Sequence, residues 1–437
     1  MKKRPSVSRI FKSVAFALVI PGSFAQAASV TDAVRAALES NPRVLAGFDE
    51  VMIREQERNA ARSGYFPSLD LAATYGREYT NRPATRVTHG DEFIDYDTQA
   101  VGLELRQNLF SGFETTRLVE QQDARIKSAH GDLSDTREQV ALDAANAYLR
   151  VLRESQILHM AKVFHAAHQS IYDKINARSS AGVSKKADLD QAEGRLALAR
   201  SNVIAAEANL RDAKASYLRV IGQAAPADMS TPAALDATMP VNIDAALQAA
   251  AEANPALSAA NADVDAAQAG RGAAKGAFYP SLDLVLARNW NKDVAGIEGD
   301  DENYGAYLQM RYNLLSGGGD TAQEKAAANR LAQAKNRRDD VQRQVSESMR
   351  LAWNAYEAVN QQLGYLRAHE KASERTRNAY SKQFSIGQRT LLDLLDTENE
   401  LFEARRDVVR AEFDRLSAQY RIQALAGKLQ SLLLSVR

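Results

Sequence analysis

The sequence predicts a mostly α-helical chain with a small β part, built as two fused copies of one complex unit. Three observations point to it: a long-range repeat, proline-free tracts with heptad spacing, and four short windows of alternating polarity. The repeat is carried by Ala61-Arg-Ser-Gly-Tyr-Phe-Pro67-Ser-Leu-Asp-Leu71, which returns as Ala274-Lys-Gly-Ala-Phe-Tyr-Pro280-Ser-Leu-Asp-Leu284, 213 positions on. Asn41-Pro42 recurs as Asn254-Pro255 at the same offset, whereas Asn108-Leu-Phe-Ser111-Gly112 recurs as Asn313-Leu-Leu-Ser316-Gly317 at 205. One loop between Pro67 and Asn108 has therefore shortened by eight residues, and Gly182, Asp188 and Gly222 keep the 205 offset to Gly387, Asp393 and Gly427. A unit of this length is too long for a solenoid repeat.

Residues 1–28 read as a secretory signal: Lys2, Lys3, Arg4, Arg9 and Lys12 precede apolar Val14 to Ile20, and Ala25-Gln26-Ala27 is a small-x-small cleavage site. Removing those five basic residues takes the balance of basic to acidic side chains from 55 against 55 to 50 against 55. A mildly acidic exported chain has no electrostatic case for nucleic acid as a partner. The absence of cysteine excludes disulfides, thiolate metal sites and a lipid anchor on an amino-terminal cysteine. No later window is apolar enough for a membrane-spanning helix, so a membrane crossing would need strands.

Residues 29–222 form the first repeat. A helix is expected from Val30 to about Arg62, closed by Pro67, with Thr31-Asp32 as a cap candidate. In Ser68 to Tyr79, Leu69, Leu71, Ala73, Tyr75 and Tyr79 alternate with Ser68, Asp70, Thr74 and Glu78, Arg77 being the exception. In Ala100 to Leu109, Val101, Leu103, Leu105 and Leu109 oppose Gly102, Glu104, Arg106 and Asn108. Both are strand patterns, joined by a polar loop holding Asn81, Pro83 and Gly90. The proline-free tract from Phe113 to Arg178 would reach ~99 Å as a helix, a length that implies coiled-coil packing. After a break at Gly182, a second helix runs from Lys185 to about Gly222 with Leu189, Leu196, Val203, Leu210 and Tyr217 at heptad spacing. Its ~57 Å and the ~48 Å of the first helix together match the long helix, which predicts two short helices stacked end to end beside one long one.

Residues 223–241, with Pro226, Pro232 and Pro240, are the expected linker, and 242–437 the second repeat. Its helix is expected from Val241 to Lys275, its strands at Ser281 to Trp290 and Gly305 to Leu314, its long helix from Gly319 to Phe384 and its last from Arg389 to Gln430. The heptad there reads Leu394, Leu401, Val408, Arg415 and Ile422, so one knob is lost. Together the lengths predict one rod-like helical layer, with all four strands at one end and both hairpin tips at the other.

A two-faced strand belongs either to a soluble sheet over a core or to a barrel with lipid outside and water inside. Here the helices use their apolar positions on one another, leaving nothing to cover four apolar strand faces. Ten to twelve residues match the ~9–11 needed to cross a bilayer with tilt, and Tyr75, Tyr79, Trp290, Tyr304 and Tyr312 suit interfacial belts. Four strands cannot close a barrel, so several chains must each give a share. The charges of Asp70, Glu104, Arg106, Asp283 and Arg311 would then face a water-filled lumen.

The duplicated Tyr-Phe-Pro-Ser-Leu and Asn-Leu-Phe-Ser-Gly segments, with Gly387-Gln-Arg389-Thr390-Leu-Leu-Asp393-Leu-Leu-Asp396 opening the last helix, resemble the TolC outer-membrane factor family over essentially the whole mature chain. The resemblance implies a homotrimer: three chains give four strands each to a twelve-stranded barrel in outer-membrane lipid, continued as an antiparallel coiled-coil helical tunnel across the periplasm. It implies docking to a periplasmic adaptor and to an inner-membrane ABC or proton-driven transporter, no cofactor and no enzymatic activity. Gly182-Val-Ser-Lys-Lys-Ala-Asp188 and the missing lipobox cysteine resemble the type I secretion branch, which exports proteins, more than the drug-efflux branch. At the tunnel's periplasmic end the resemblance matches Asp393 and Asp396 to constriction aspartates and Arg389 and Asp188 to interhelical links. Phe384 stands where a hydrogen-bonding tyrosine is expected and Ala187 where a threonine is, which leaves fewer latches. Carboxylates three apart share a helix face, but acids at a helix start are also ordinary solvated residues.

Three other readings are weaker. His159, His165 and His168 place only the last two on one helical face, with no carboxylate to complete a metal set. Gly317-Gly318-Gly319 lacks the following Lys-Ser/Thr of a phosphate loop and reads as a strand-to-helix turn. A periplasmic coiled-coil adaptor would share the signal and the hairpins but not two matched strand pairs.

Overall fold

The computed structural model describes residues 28–435, so the expected signal segment lies outside the described residues except for Ala28. The first half gives α1 (Val30–Ser40), α2 (Pro42–Ser63), β1 (Ser68–Thr80), α3 (Pro83–His89), β2 (Ile94–Ser111), α4 (Glu114–Ser180) and α5 (Lys186–Ile221). The second gives α6 (Ile243–Ala253), α7 (Pro255–Ala274), β3 (Ser281–Lys292), β4 (Asp300–Arg311), α8 (Gly319–Ser385), α9 (Leu391–Leu425) and α10 (Leu429–Ser435).

Several boundaries differ from expectation. The helices expected to start at Val30 and Val241 are each broken at Asn-Pro, because a proline disfavours helical backbone in the residue before it. Asn41 and Asn254 stand in extended backbone, each as the N-cap of a new helix with proline at its first position. The polar β1–β2 loop contains α3, β2 begins six residues before Ala100, and β4 covers Asp300–Arg311, so Tyr312 and Leu314 lie beyond it. The expected last helix stops at Leu425 and restarts as α10, because Gly427 adopts φ 65° and a Cβ there would come within 2.4 Å of the Ala253 carbonyl.

The helices form a layer four columns wide: α2 and α5, then α4, then α7 and α9, then α8. Each 67-residue long helix spans ~100 Å and is flanked by shorter helices stacked end to end. The Asn-Pro repeat makes the splice. Asn41 Nδ2 donates to the Val220 carbonyl at the end of α5 (3.0 Å), and Asn254 Nδ2 donates to the Leu425 carbonyl at the end of α9 (2.9 Å). Each side chain also caps its own helix through Oδ1, accepting from Arg43 N and Leu257 N. One amide therefore satisfies orphan groups on two coaxial helices.

Packing along the seams uses small residues. In α5 the heptad of larger knobs is accompanied, three residues later, by Ala192, Ala199, Ala206, Ala213 and Val220, all buried. In α9 the equivalent series Thr397, Ala404, Ala411 and Ala418 is buried as well. Alanines at these positions let the helices approach closely while the larger knobs fill the flanks.

All four strands join one antiparallel sheet in the order β1-β2-β3-β4, leaving one side of β1 and one side of β4 unpaired among the described residues. The Ser-Gly repeat turns each strand pair into its long helix: Gly112 has φ 63° and its Cβ would meet the Gly276 carbonyl at 2.4 Å. Gly317 and Gly318 repeat the left-handed backbone before α8 and form the strand-to-helix turn that the glycine run predicts.

Candidate functional site

The sheet has two chemically distinct faces. Residues opposed across an antiparallel ladder point to the same side, as do residues two apart along a strand. Asp70 opposes Glu104, Ser68 opposes Arg106 and Ser281 opposes Arg311. Arg106 in turn opposes Val285, and Asn108 opposes Asp283. The register thus brings all five sequence-selected charges, Asp70, Glu104, Arg106, Asp283 and Arg311, to one face. Arg106 Nη2 donates to Glu104 Oε1 at 2.9 Å, and Asn108 Nδ2 donates to Asp283 Oδ1 at 2.8 Å.

The other face carries Leu69, Leu71, Leu103, Leu105, Leu284, Leu308 and Met310. Leu71 is 70% exposed, Leu308 65% and Met310 71%, so no described helix covers them. A contiguous exposed apolar patch of this kind marks a surface made for another apolar phase. Tyr75, Trp290 and Tyr304 lie on it, with Tyr79 towards its far end. Arg288 is the one charge beside Leu103 on this face. Glu302 neutralises it, and its guanidinium lies 4.7 Å from the Trp290 ring centroid. Its phase with Leu286 and Trp290 in the sequence places it on this face.

At the opposite end of the layer are the α4–α5 and α8–α9 hairpin tips. Thr390 N-caps α9 in a reciprocal capping box: its hydroxyl donates to Asp393 Oδ2 (2.8 Å) and accepts from Asp393 N (3.2 Å). Hydrogen bonds from the Thr390 side chain and backbone, with the Arg389 guanidinium nearby, hold the Asp393 carboxyl below the usual carboxylate range. Asp396, three residues on, accepts at Oδ1 from Arg195 Nη2 of α5 at 2.8 Å.

Within one chain the residues matched to interhelical links do not meet. Arg389 donates to Gln383 (3.0 Å) and lies over the Tyr380 ring at 4.2 Å, and Asp188 accepts from Ser184 at 3.2 Å. Each stays in its own hairpin. Phe384 packs on the tip cluster of Ile171, Ile175, Ala192, Leu391, Leu394 and Leu395, with the Arg178 guanidinium 6.0 Å from its ring. Arg195 is the functional candidate that sequence reasoning missed, since it lies outside every motif singled out and its partner Asp396 is 201 residues away.

Among the described residues no cluster of three or more His, Asp or Glu is placed to hold a metal. His168 is buried, its ring tilted against that of Phe164 at 4.2 Å and hydrogen-bonded to the Phe164 carbonyl, so it is a satisfied core histidine. No described helix is long and apolar enough to cross a membrane.

A rod of paired helices ending in a two-faced sheet with open edges defines one subunit of an outer-membrane channel. The chain belongs to the outer membrane efflux protein family, whose model matches residues 33–223 and 246–428, and an outer-membrane location follows from that membership. It is 27% identical to the outer membrane efflux protein BepC of Brucella suis biovar 1, over 94% of this chain and 88% of BepC. It is 25% identical to the alkaline protease secretion protein AprF of Pseudomonas aeruginosa, over 92% of this chain and 85% of AprF. Its fold matches a crystal structure of CusC, described in terms of folding and transmembrane channel formation, at a TM-score of 0.80 and 16% identity, over 91% of this chain and 92% of that one.

Proposed function

We propose that three copies of this chain assemble into the exit duct of a tripartite export system. Each copy gives four strands to a twelve-stranded barrel and its helical layer to a tunnel, which receives cargo from an inner-membrane transporter through a periplasmic adaptor. The observation that carries this reading is the uncovered apolar face of a sheet with free edges on β1 and β4. Unpaired backbone groups cannot remain in lipid, so the sheet must close with other copies. The charged face then lines water, with Asp70, Glu104, Arg106, Asp283 and Arg311 in the lumen, and Asp393 and Asp396 gather near the threefold axis at the far end. Arg389 and Asp188, each engaged only within its own hairpin in the single chain, exchange those local partners for links to neighbouring subunits there.

Export of proteins of the type I class is the reading favoured by the Gly182 to Asp188 turn and by similarity to the protease secretion protein AprF. Similarity to the efflux protein BepC supports small-molecule efflux as the second reading. Unboiled outer-membrane protein run on a denaturing gel tests the assembly: a heat-modifiable trimer is expected, and a monomer in the soluble periplasmic fraction would refute it. Crosslinking the assembled complex, followed by mass spectrometry of its partners, separates secretion from efflux.

A further inference from the structure

We infer that Arg195 is a selectivity-setting latch: by holding Asp396 it ties the first hairpin to the second and masks one of the two constriction carboxylates of each chain. This inference rests on the duct reading above. Among the described residues two ion pairs join the α4–α5 hairpin to the α8–α9 hairpin. Arg153–Asp414, at 3.6 Å, lies far up the helices, and Arg153 is shared with Glu154. Arg195–Asp396, at 2.8 Å, is at the tips.

The other polar groups at the tips are engaged locally. Arg389 is held by Gln383 and Tyr380, and Asp188 by Ser184. Asp393 is occupied by its own helix cap. Phe384 and Ala187 have no hydroxyl to offer. The tips are therefore closed by an apolar seam with one ionic clasp at its rim. Ala192, in the seam, stands one turn before Arg195, and Leu395, also in the seam, directly precedes Asp396.

The exposure of the clasp suits a device that must open. The Arg195 side chain is 32% exposed and that of Asp396 56%, and an ion pair so wet is weak and screened by salt. While it holds, the Arg195 guanidinium offsets the Asp396 carboxylate, as the nearby Arg389 does in part for Asp393. When the hairpins part, Arg195 is withdrawn and Asp396 joins Asp393. Three chains then add three carboxylates to the opening, so conductance and preference for cations rise together.

Single channels of the purified assembly in planar bilayers under a salt gradient test this. Arg195→Ala should raise conductance several-fold and shift the reversal potential towards cations. Asp396→Asn should raise conductance without the gain in cation preference, since it releases the clasp and removes the charge together. The exchange Arg195→Asp with Asp396→Arg should return conductance towards wild type. The latch is refuted if Arg195→Ala keeps wild-type conductance and reversal potential, or if the exchange behaves no better than Arg195→Ala. Absence of any channel from the wild-type assembly would instead refute the duct.

Discussion

Arg415 of α9 donates through Nη2 to Asp236 Oδ1 in the linker at 2.6 Å. This contact accounts for the one charged residue in the α9 heptad, at the position where α5 has Leu210. One and two turns further on, buried Gln419 donates to the same Asp236 oxygen (2.6 Å) and accepts from Leu235 N (3.0 Å), and Gln423 donates to the Thr238 carbonyl (2.8 Å). A polar stripe at i, i+4 and i+8 thus clamps the linker to the helical layer.

Replacing Arg415 by leucine restores the apolar knob but strips half-exposed Asp236 of its ion pair, at a cost of about 1 kcal/mol or less. Faster proteolytic cleavage between 223 and 241 is expected. Adding Asp236→Asn should increase it little further, because the two residues act as one unit.

Asn41→Ala and Asn254→Ala each remove a helix cap together with the bond to a stacked helix, costing roughly 1–2 kcal/mol apiece. The two splices share no partner, so in the double variant the losses of thermal stability should add.

Glu138 of α4 is buried and accepts from Leu429 N (3.1 Å) and Gln430 N (3.3 Å) at the start of α10. Burial pushes its carboxyl up from 4.5 to about 7, against the lowering effect of those two donors. Between these values the folded chain holds a proton that the unfolded chain has lost. The stabilisation is therefore complete below the unfolded value and disappears as pH rises through the folded one, a loss of about 3 kcal/mol. Melting followed across that window should show stability falling with pH, and Glu138→Gln should flatten the profile.

Leu71→Arg tests the environment of the uncovered strand face. In water an exposed leucine is replaced at little cost, whereas near the middle of a bilayer arginine costs about 2–4 kcal/mol. Recovery of the variant from the outer membrane should drop sharply, while Asp70→Asn on the opposite face should leave recovery unchanged.

Asp393→Ala combined with Asp396→Ala should weaken cation selectivity in planar bilayers. Because hydrogen bonds from Thr390 depress the Asp393 carboxyl, it stays ionised down to acidic pH, and the wild-type preference should persist there. Selectivity identical to wild type in the double variant would take both residues out of the constriction.

By itself the sequence determined the duplication, the long helices, the four two-faced strands, the break at Gly182 and the turn at Gly317-Gly318-Gly319, because each is written in local periodicity or in a residue's own backbone preference. Strand alternation was sufficient to assign Asp70, Glu104, Arg106, Asp283 and Arg311 to one face, since the pleat has a period of two. The Asn-Pro breaks were present in the sequence as well, but the second role of Asn41 and Asn254, capping a helix about 170 to 180 residues away, was not. Only the tertiary structure decided which distant partners meet: Arg415 with Asp236, Glu138 with the first turn of α10, Arg195 with Asp396. Such pairs depend on how whole columns of helices register against one another, and no short window of sequence contains that register.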